Sequence, residues 1–188
     1  MKQIYFVSVI VITLLSPLSI HAETFCISDA TGLQDALTIA ANNGEDDTIQ
    51  IEQGIYIGNF RYTPTEAYNL IIEGGYTPGC GLREVNPANT VLDANGYRTA
   101  FILETSGGVE ANLVIDGLTL RHGGYECMVG GIRVHMPGGG DVTISNNIIS
   151  ENWSECAYDE GFGGGSVVGT AGNITFSVDH TMPDGTCG

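Results

Sequence analysis

Between residues 49 and 177 a short word recurs: two apolar residues at a spacing of two, then usually an acid or a serine, then often a residue that tolerates a bend. It reads Ile49-Gln50-Ile51-Glu52, Leu70-Ile71-Ile72-Glu73-Gly74, Thr90-Val91-Leu92-Asp93-Ala94, Leu113-Val114-Ile115-Asp116-Gly117, Val142-Thr143-Ile144-Ser145-Asn146 and Ile174-Thr175-Phe176-Ser177. A spacing of two puts both anchors on one face of a strand. The second anchors fall at 51, 72, 92, 115, 144 and 176 and return every 20 to 32 residues, with the step growing late. Strands this short, returning at that interval, predict a coil stacked on its own copies. A second column is read in Ala100-Phe101-Ile102-Leu103, Gly131-Ile132-Arg133-Val134 and Gly165-Ser166-Val167-Val168, giving two strands per coil. Gly117 matches Asn146, and Gly123 matches Asn152, at one shared offset of 29, and both pairs are read as corners of positive φ. A β-sandwich also has many short strands, but joins them by hairpins every ~8 to 12 residues. The like-patterned words here lie about twice as far apart, which favours the stack.

A helix breaks this pattern once. From Thr31 to Asn43, Leu33, Ala36, Leu37 and Ala40 recur at helical spacing, Thr31 with Gln34 forms a capping-box pattern, and Gly44 suits the stop. The amphipathic helix is expected to lay its apolar stripe over the first coil, covering an end that would otherwise be open. After Phe176 nothing comparable follows, so the C-terminal edge is expected to continue into further coils or to be covered by a partner. Upstream, Met1-Lys2, the apolar run Ile4 to Leu15, Pro17 and Ile20-His21-Ala22 have the layout of a secretory leader. The apolar run is short of the ~20 residues that a spanning helix needs. The chain therefore divides into 1–22 (signal peptide), 23–47 (cap with a short helix) and 48–188 (coils).

Composition changes the picture in two ways. The leader carries the only lysine, so the remainder sets 22 acidic residues against 5 arginines. Such a chain does not hold nucleic acid or an anionic bilayer by charge. At 43% apolar and 15% charged residues it can bury a core. Export makes cysteine a staple before a ligand. Cys26, Cys80, Cys127, Cys156 and Cys187 contain no CxxC pair, which gives zinc little support. Cys127 to Cys156 repeats the step of 29 that carries Ile115 to Ile144, so these sulfurs should lie one above the other and pair. Cys26 and Cys80 then pair by elimination, leaving Cys187 over.

The leader, the helix, "DDTIQIEQGIYIGNF", "NLIIEGGYTPGC" with "NPANTVLDANG", "LVIDGLTLRHGG", "GGIRV" and "VTISNNIISEN" together resemble the N-terminal part of exported bacterial right-handed parallel β-helix proteins. These form the pectate-lyase-like superfamily, with its polymorphic outer-membrane protein and adhesin-like branches. The resemblance implies an all-β right-handed parallel β-helix, a solenoid with an N-terminal amphipathic capping helix. It also implies a protein that is secreted or on the outer surface of a Gram-negative bacterium.

Polysaccharide lyases of that superfamily use calcium on stacked carboxylates and a base near the sugar carbon. Glu73, Asp93 and Asp116 are candidates for an acidic, calcium-binding column, and Asp93, Asp116, Arg121 and His122 for catalysis. The same acids follow strands directly, where carboxylates commonly bond the turn backbone. The lyase words with paired arginines and the NTD, GHG and RIK words of polygalacturonases are not found. Trp153, Tyr158 and Phe162 are candidates for stacking on a sugar. The expectation is an exported, non-enzymatic module without a cofactor, presenting loops to surface glycans or cell-surface components. The alternative is a calcium-dependent polysaccharide lyase or a glycoside hydrolase on the same scaffold.

Overall fold

The computed structural model describes residues 22–124 and 129–153 and, beyond them, the backbone of Val167–Thr170 and Asn173–Ser177. Strand β1 (Thr24–Ile27) leads into helix α1 (Ala30–Ala40). Then follow β2 (Asp47–Glu52), β3 (Gly54–Ile57), β4 (Phe60–Tyr62), β5 (Leu70–Tyr76), β6 (Thr90–Asp93), β7 (Phe101–Glu104), β8 (Leu113–Asp116), β9 (Thr119–Arg121), β10 (Ile132–His135), β11 (Asp141–Ser145), β12 (Ile148–Ser150), β13 (Val167–Thr170) and β14 (Asn173–Ser177).

Three parallel sheets result. The first runs β1-β2-β5-β8-β11-β14, the second β3-β6-β9-β12 and the third β4-β7-β10-β13. From β2 onward the chain visits first, second and third sheet in that order and returns, so each strand pairs with the one three elements later. The described residues are thus predominantly β with one α-helix, in an order compatible with a solenoid. Inward side chains from all three sheets meet in one apolar cluster. It includes Ile49, Ile72, Ile115 and Ile144 of the first sheet, Tyr56, Leu92 and Leu120 of the second, and Phe60, Phe101, Leu103 and Ile132 of the third. Burying each such side chain contributes roughly 1.5–3 kcal/mol.

The register places Ile49, Ile72, Ile115, Ile144 and Phe176 in one column. Two expected members of that column lie elsewhere. Ile51 is two residues past the anchor and pairs with Ile27, and Leu92 belongs to the second sheet, between Tyr56 and Leu120. The reason is that β2 and, as far as Ile115, β8 bury alternate residues while β6 buries all four of its own, so an apolar word does not say which sheet a strand joins. There are three strands per circuit rather than two. The second sheet escapes the pattern because β9 and β12 are only three residues long and start after two-residue corners, Gly117-Leu118 and Asn146-Asn147. In the third sheet Ile132 pairs with Val167, one position later than the expected alignment. Measured along the first sheet from β2, successive circuits take 23, 43, 29 and 32 residues, so the longest is the one from β5 to β8 and not the last.

Side-chain amides and carboxylates tie the circuits together where strands begin. Asp46 Oδ1 accepts from the Asn69 N–H (2.7 Å), Asn69 Oδ1 from the Asn112 N–H (3.3 Å), and Asn112 Oδ1 from the Asp141 N–H (2.9 Å). Between sheets, Asn147 is buried, accepts from the Leu118 N–H at 2.8 Å and donates to the Ile115 carbonyl at 2.8 Å. Asn152 does the same with the Gly123 N–H and the Leu120 carbonyl. Asn152 and Gly123 therefore share a column, but for a different reason than positive φ. The left-handed residues at that corner are His122 and Glu151, one position earlier (φ 53° and 55°), while Gly117 and Asn146 are left-handed as expected (75° and 52°). Gly123 is needed for space, since a Cβ there would overlap the Gly130 carbonyl oxygen. Asn147→Ala leaves a buried N–H and a buried carbonyl without partners. It is expected to cost about 2–3 kcal/mol in a urea titration, more than Asn152→Ala at the partly exposed corner.

Helix α1 buries Leu33, Ala36, Leu37 and Ala40, the stripe seen in the sequence. Its N-cap is Asp29, whose carboxylate accepts from the Gly32 N–H at 2.9 Å, rather than Thr31. Gln34 has another task. Its side-chain amide donates to the Arg61 carbonyl and accepts from the Arg61 N–H, both at 2.9 Å, so it acts as a strand residue against the open edge of β4.

Candidate functional site

After β5 the chain turns back on itself. Thr77 N–H donates to the Leu82 carbonyl (2.8 Å), Tyr76 and Arg83 form an antiparallel bridge, and Glu84 N–H donates to the Gly75 carbonyl (2.9 Å). This hairpin delivers Arg83 to Glu73-Gly74 within β5 and to the end of β8 at Asp116. Its Nε donates to the Gly74 carbonyl (3.0 Å), Nη1 to Glu73 Oε1 (3.0 Å), and Nη2 to the Asp116 carboxylate and carbonyl. The guanidinium also lies 5.8 Å from the centre of the Tyr76 ring, whose hydroxyl donates to Glu73 Oε2 at 2.6 Å. Asp116 Oδ1 accepts in addition from Ser145 Oγ (2.5 Å) and Asn146 Nδ2 (2.6 Å). Gly74 lets the two corners approach, because a Cβ on it would overlap the Gly117 carbonyl oxygen.

Asp93 stands apart, at the end of β6 in the second sheet. Asp93 accepts from Arg121 Nε (2.9 Å) and the Asn95 N–H (2.9 Å), and contacts His122 Nδ1 at 3.0 Å. The far ring nitrogen, His122 Nε2, lies 2.9 Å from Glu151 Oε2. Asp93, His122 and Glu151 come from three successive circuits, which is why the imidazole sits between two carboxylates.

The expected acidic column of Glu73, Asp93 and Asp116 therefore does not form as one group. Glu73 and Asp116 are in register on the first sheet, but Arg83 spans them and supplies the positive charge a calcium ion would bring. Asp93 ends β6 in the second sheet, in register with Ile57 and Arg121 rather than with that pair. The four catalytic candidates sort into the same two clusters, Asp116 with Arg83, and Asp93 with Arg121 and His122. Cys26 and Cys80 are joined, with Cα atoms 5.8 Å apart. Glu52 Oε1 lies close to both sulfurs, yet bonded sulfurs have no thiolate to offer a metal. Cys127, Cys156, Cys187, Tyr158 and Phe162 lie outside the described residues, as do residues 1–21 and the C-terminal edge. No helix among the described residues is long and apolar enough to cross a membrane.

Burial alone would raise the pKa of Asp116. The hydrogen bonds from Ser145 and Asn146, and Arg83, outweigh it and hold the carboxyl below its usual 3.8. For Asp93 burial is likewise the largest single influence, and is overcome by the Asn95 N–H, His122 and Arg121. A carboxylate lowered in the folded state contributes stability that is complete above the unfolded value, and that is lost as the pH falls through the folded one. Thermal melts are therefore expected to hold their midpoint at neutral pH and to lose it below about pH 4. Asp93→Asn with Asp116→Asn should start lower and show a shallower acid slope.

Arg83 is the member of the site that the sequence pattern misses, since it lies in an irregular segment with no repeat word. Its only sequence signal is scarcity: one of 5 arginines placed ten residues after Glu73 in an acid-rich chain.

One further corner is built from three rungs. Gly96 N–H donates to the His122 carbonyl (2.7 Å), Gly124 N–H to the Arg98 carbonyl (2.6 Å), and Trp153 N–H to the Gly123 carbonyl (2.9 Å). Tyr97 and Trp153 thus stand two rungs apart, about 9.6 Å along the stack, and are 63% and 41% exposed. Compared with protein-family models, with curated proteins and with solved structures, the chain finds no match in any of the three.

Proposed function

We propose that this chain is a right-handed parallel β-helix of the pectate-lyase-like type, exported, and that it serves as a non-enzymatic module that contacts carbohydrate on a surface. The observation that carries the reading is the corner bearing Tyr97 and Trp153. Two large aromatic side chains are exposed at one corner of the stack, on backbone pinned by hydrogen bonds, which suits stacking against sugar rings. A second feature supports it. Asp116 is engaged by Arg83, Ser145 and Asn146, and Asp93 by Arg121, His122 and the Asn95 N–H, so the carboxylates with depressed pKa hold corners together. Neither offers the raised pKa that a general acid at neutral pH needs.

The test is a glycan array with the exported protein, followed by titration of any hit. Binding is expected, and Trp153→Ala and Tyr97→Ala should each weaken it about tenfold or more, as loss of 1.4 kcal/mol of stacking would. Absence of any glycan binding would sink the reading. So would unsaturated uronate products released from polyuronates, which would assign the scaffold to a lyase.

A further inference from the structure

Asp47 opens β2 and is only 3% exposed. Its Oδ1 accepts from the Glu23 N–H at 3.2 Å. Among the described residues neither its Oδ2 nor the polar atoms of the Asn43 side chain make a well-formed hydrogen bond, although the Asn43 amide is close enough to pull on the carboxyl. Burial pushes the Asp47 carboxyl above its usual value, against the pull of Asn43 and the Glu23 N–H and with Glu23 and Asp46 adding to the rise. Among the described residues no cation is paired with this acid. The backbone nitrogen of Glu23 is its hydrogen-bond donor, and that nitrogen is held in place, because the Thr48 N–H donates to the Glu23 carbonyl at 2.9 Å and Thr24 pairs with Thr48. Glu23 is also the first residue after the junction at which the sequence reads as a leader. Ala22 and Glu23 are exposed and border, with Thr24 and Glu45, an open cleft.

We propose that cleavage of the Ala22–Glu23 bond turns the Glu23 nitrogen into an α-ammonium group that forms an ion pair with buried Asp47, locking β1 onto β2. The step is a hydrolysis carried out by an endopeptidase. Water adds across the amide, the C–N bond breaks, Ala22 leaves as a carboxylate, and the Glu23 nitrogen takes up protons to become the ammonium. One amide donor becomes three donors with a full positive charge, enough to serve both Asp47 oxygens, while the third points to the open cleft. The uncleaved chain keeps a neutral amide beside a buried acid. Processing thus removes an electrostatic penalty at the first strand of the stack. This rests on residues 1–22 being a leader, which the test separates from the pairing itself.

The absence of lysine after residue 2 makes the test selective, because an acetylating ester has a single amine to attack in a chain that runs from Glu23 to Gly188. Such a chain, released from an N-terminal tag, is acetylated under native conditions beside its Asp47→Asn counterpart. An ammonium held by a buried carboxylate gives up its proton less readily, so the parent is expected to react about tenfold more slowly. Acetylation should lower the parent's Tm by several degrees and leave that of Asp47→Asn unchanged. A chain that starts at Ala22 and retains Asp47 should behave like the acetylated parent. Equal acetylation rates in the two proteins, or equal losses of Tm, would overturn the ion pair. Mass spectrometry of the exported protein is expected to find Glu23 first, and any other first residue would overturn the processing step alone.

Discussion

Arg83→Met is expected to cost about 3 kcal/mol of stability and to free the hairpin that carries it. Methionine keeps the aliphatic stem over Tyr76 and removes only the guanidinium. Glu73 and Asp116, with side chains 24% and 12% exposed, are then left side by side in register with no cation between them. Their mutual repulsion and the lost bonds to the Gly74 and Asp116 carbonyls add to the loss. Urea denaturation at neutral pH reads the effect, and adding Glu73→Gln and Asp116→Asn to Arg83→Met should restore part of it. A loss under about 1 kcal/mol, typical of a surface ion pair, would mean that the corner is held by packing alone.

Removing the Cys26–Cys80 bond as Cys26→Ser with Cys80→Ser is expected to cost about 4 kcal/mol, from the chain entropy that a loop of this size regains when unfolded. The bond spans 54 positions and fastens β1 to the 3₁₀ turn Pro78–Cys80 at the tip of the Arg83 hairpin. Its loss should therefore also loosen β1 from β2, and amide exchange at Phe25 and Ile27 should rise ahead of exchange in β5 and β8. The paired substitution is preferable to a reductant, which would also reach Cys127, Cys156 and Cys187. Exchange at β1 unchanged by the substitution would contradict the role given to this bond.

The two clusters show what the residue pattern carries and where it stops. The column through Ile72, Ile115 and Ile144 was legible because a sheet that buries alternate residues leaves a two-spaced apolar word, and the helix stripe through Leu33 and Leu37 was legible for the analogous reason. The word does not place Leu92, because it states only that a strand has an inner face and says nothing of which of three sheets it joins. Asp93 follows Leu92 into the second sheet, so the acidic column includes only Glu73 and Asp116. The cap at Asp29 is hidden in the sequence because Thr31 and Gln34 match a capping box, whereas Gln34 is engaged with β4, a contact that only tertiary structure makes. Arg83 and the Asp47–Glu23 contact depend on segments 23 or more positions apart or on a hairpin without a pattern, and no local signal announces either.

The central claim is that Ile49, Ile72, Ile115 and Ile144 lie on parallel neighbours in one register, with Leu92 on a different sheet. Nuclear Overhauser contacts between the backbone protons of an isotopically labelled sample test it most directly. The account predicts amide-to-α-proton contacts that connect residue 72 with its neighbours at 49 and 115, and 115 with 144, together with contacts that connect 92 to 56 and 120. Close α-proton pairs between these strands, the mark of antiparallel pairing, or contacts between 72 and 92, would contradict it.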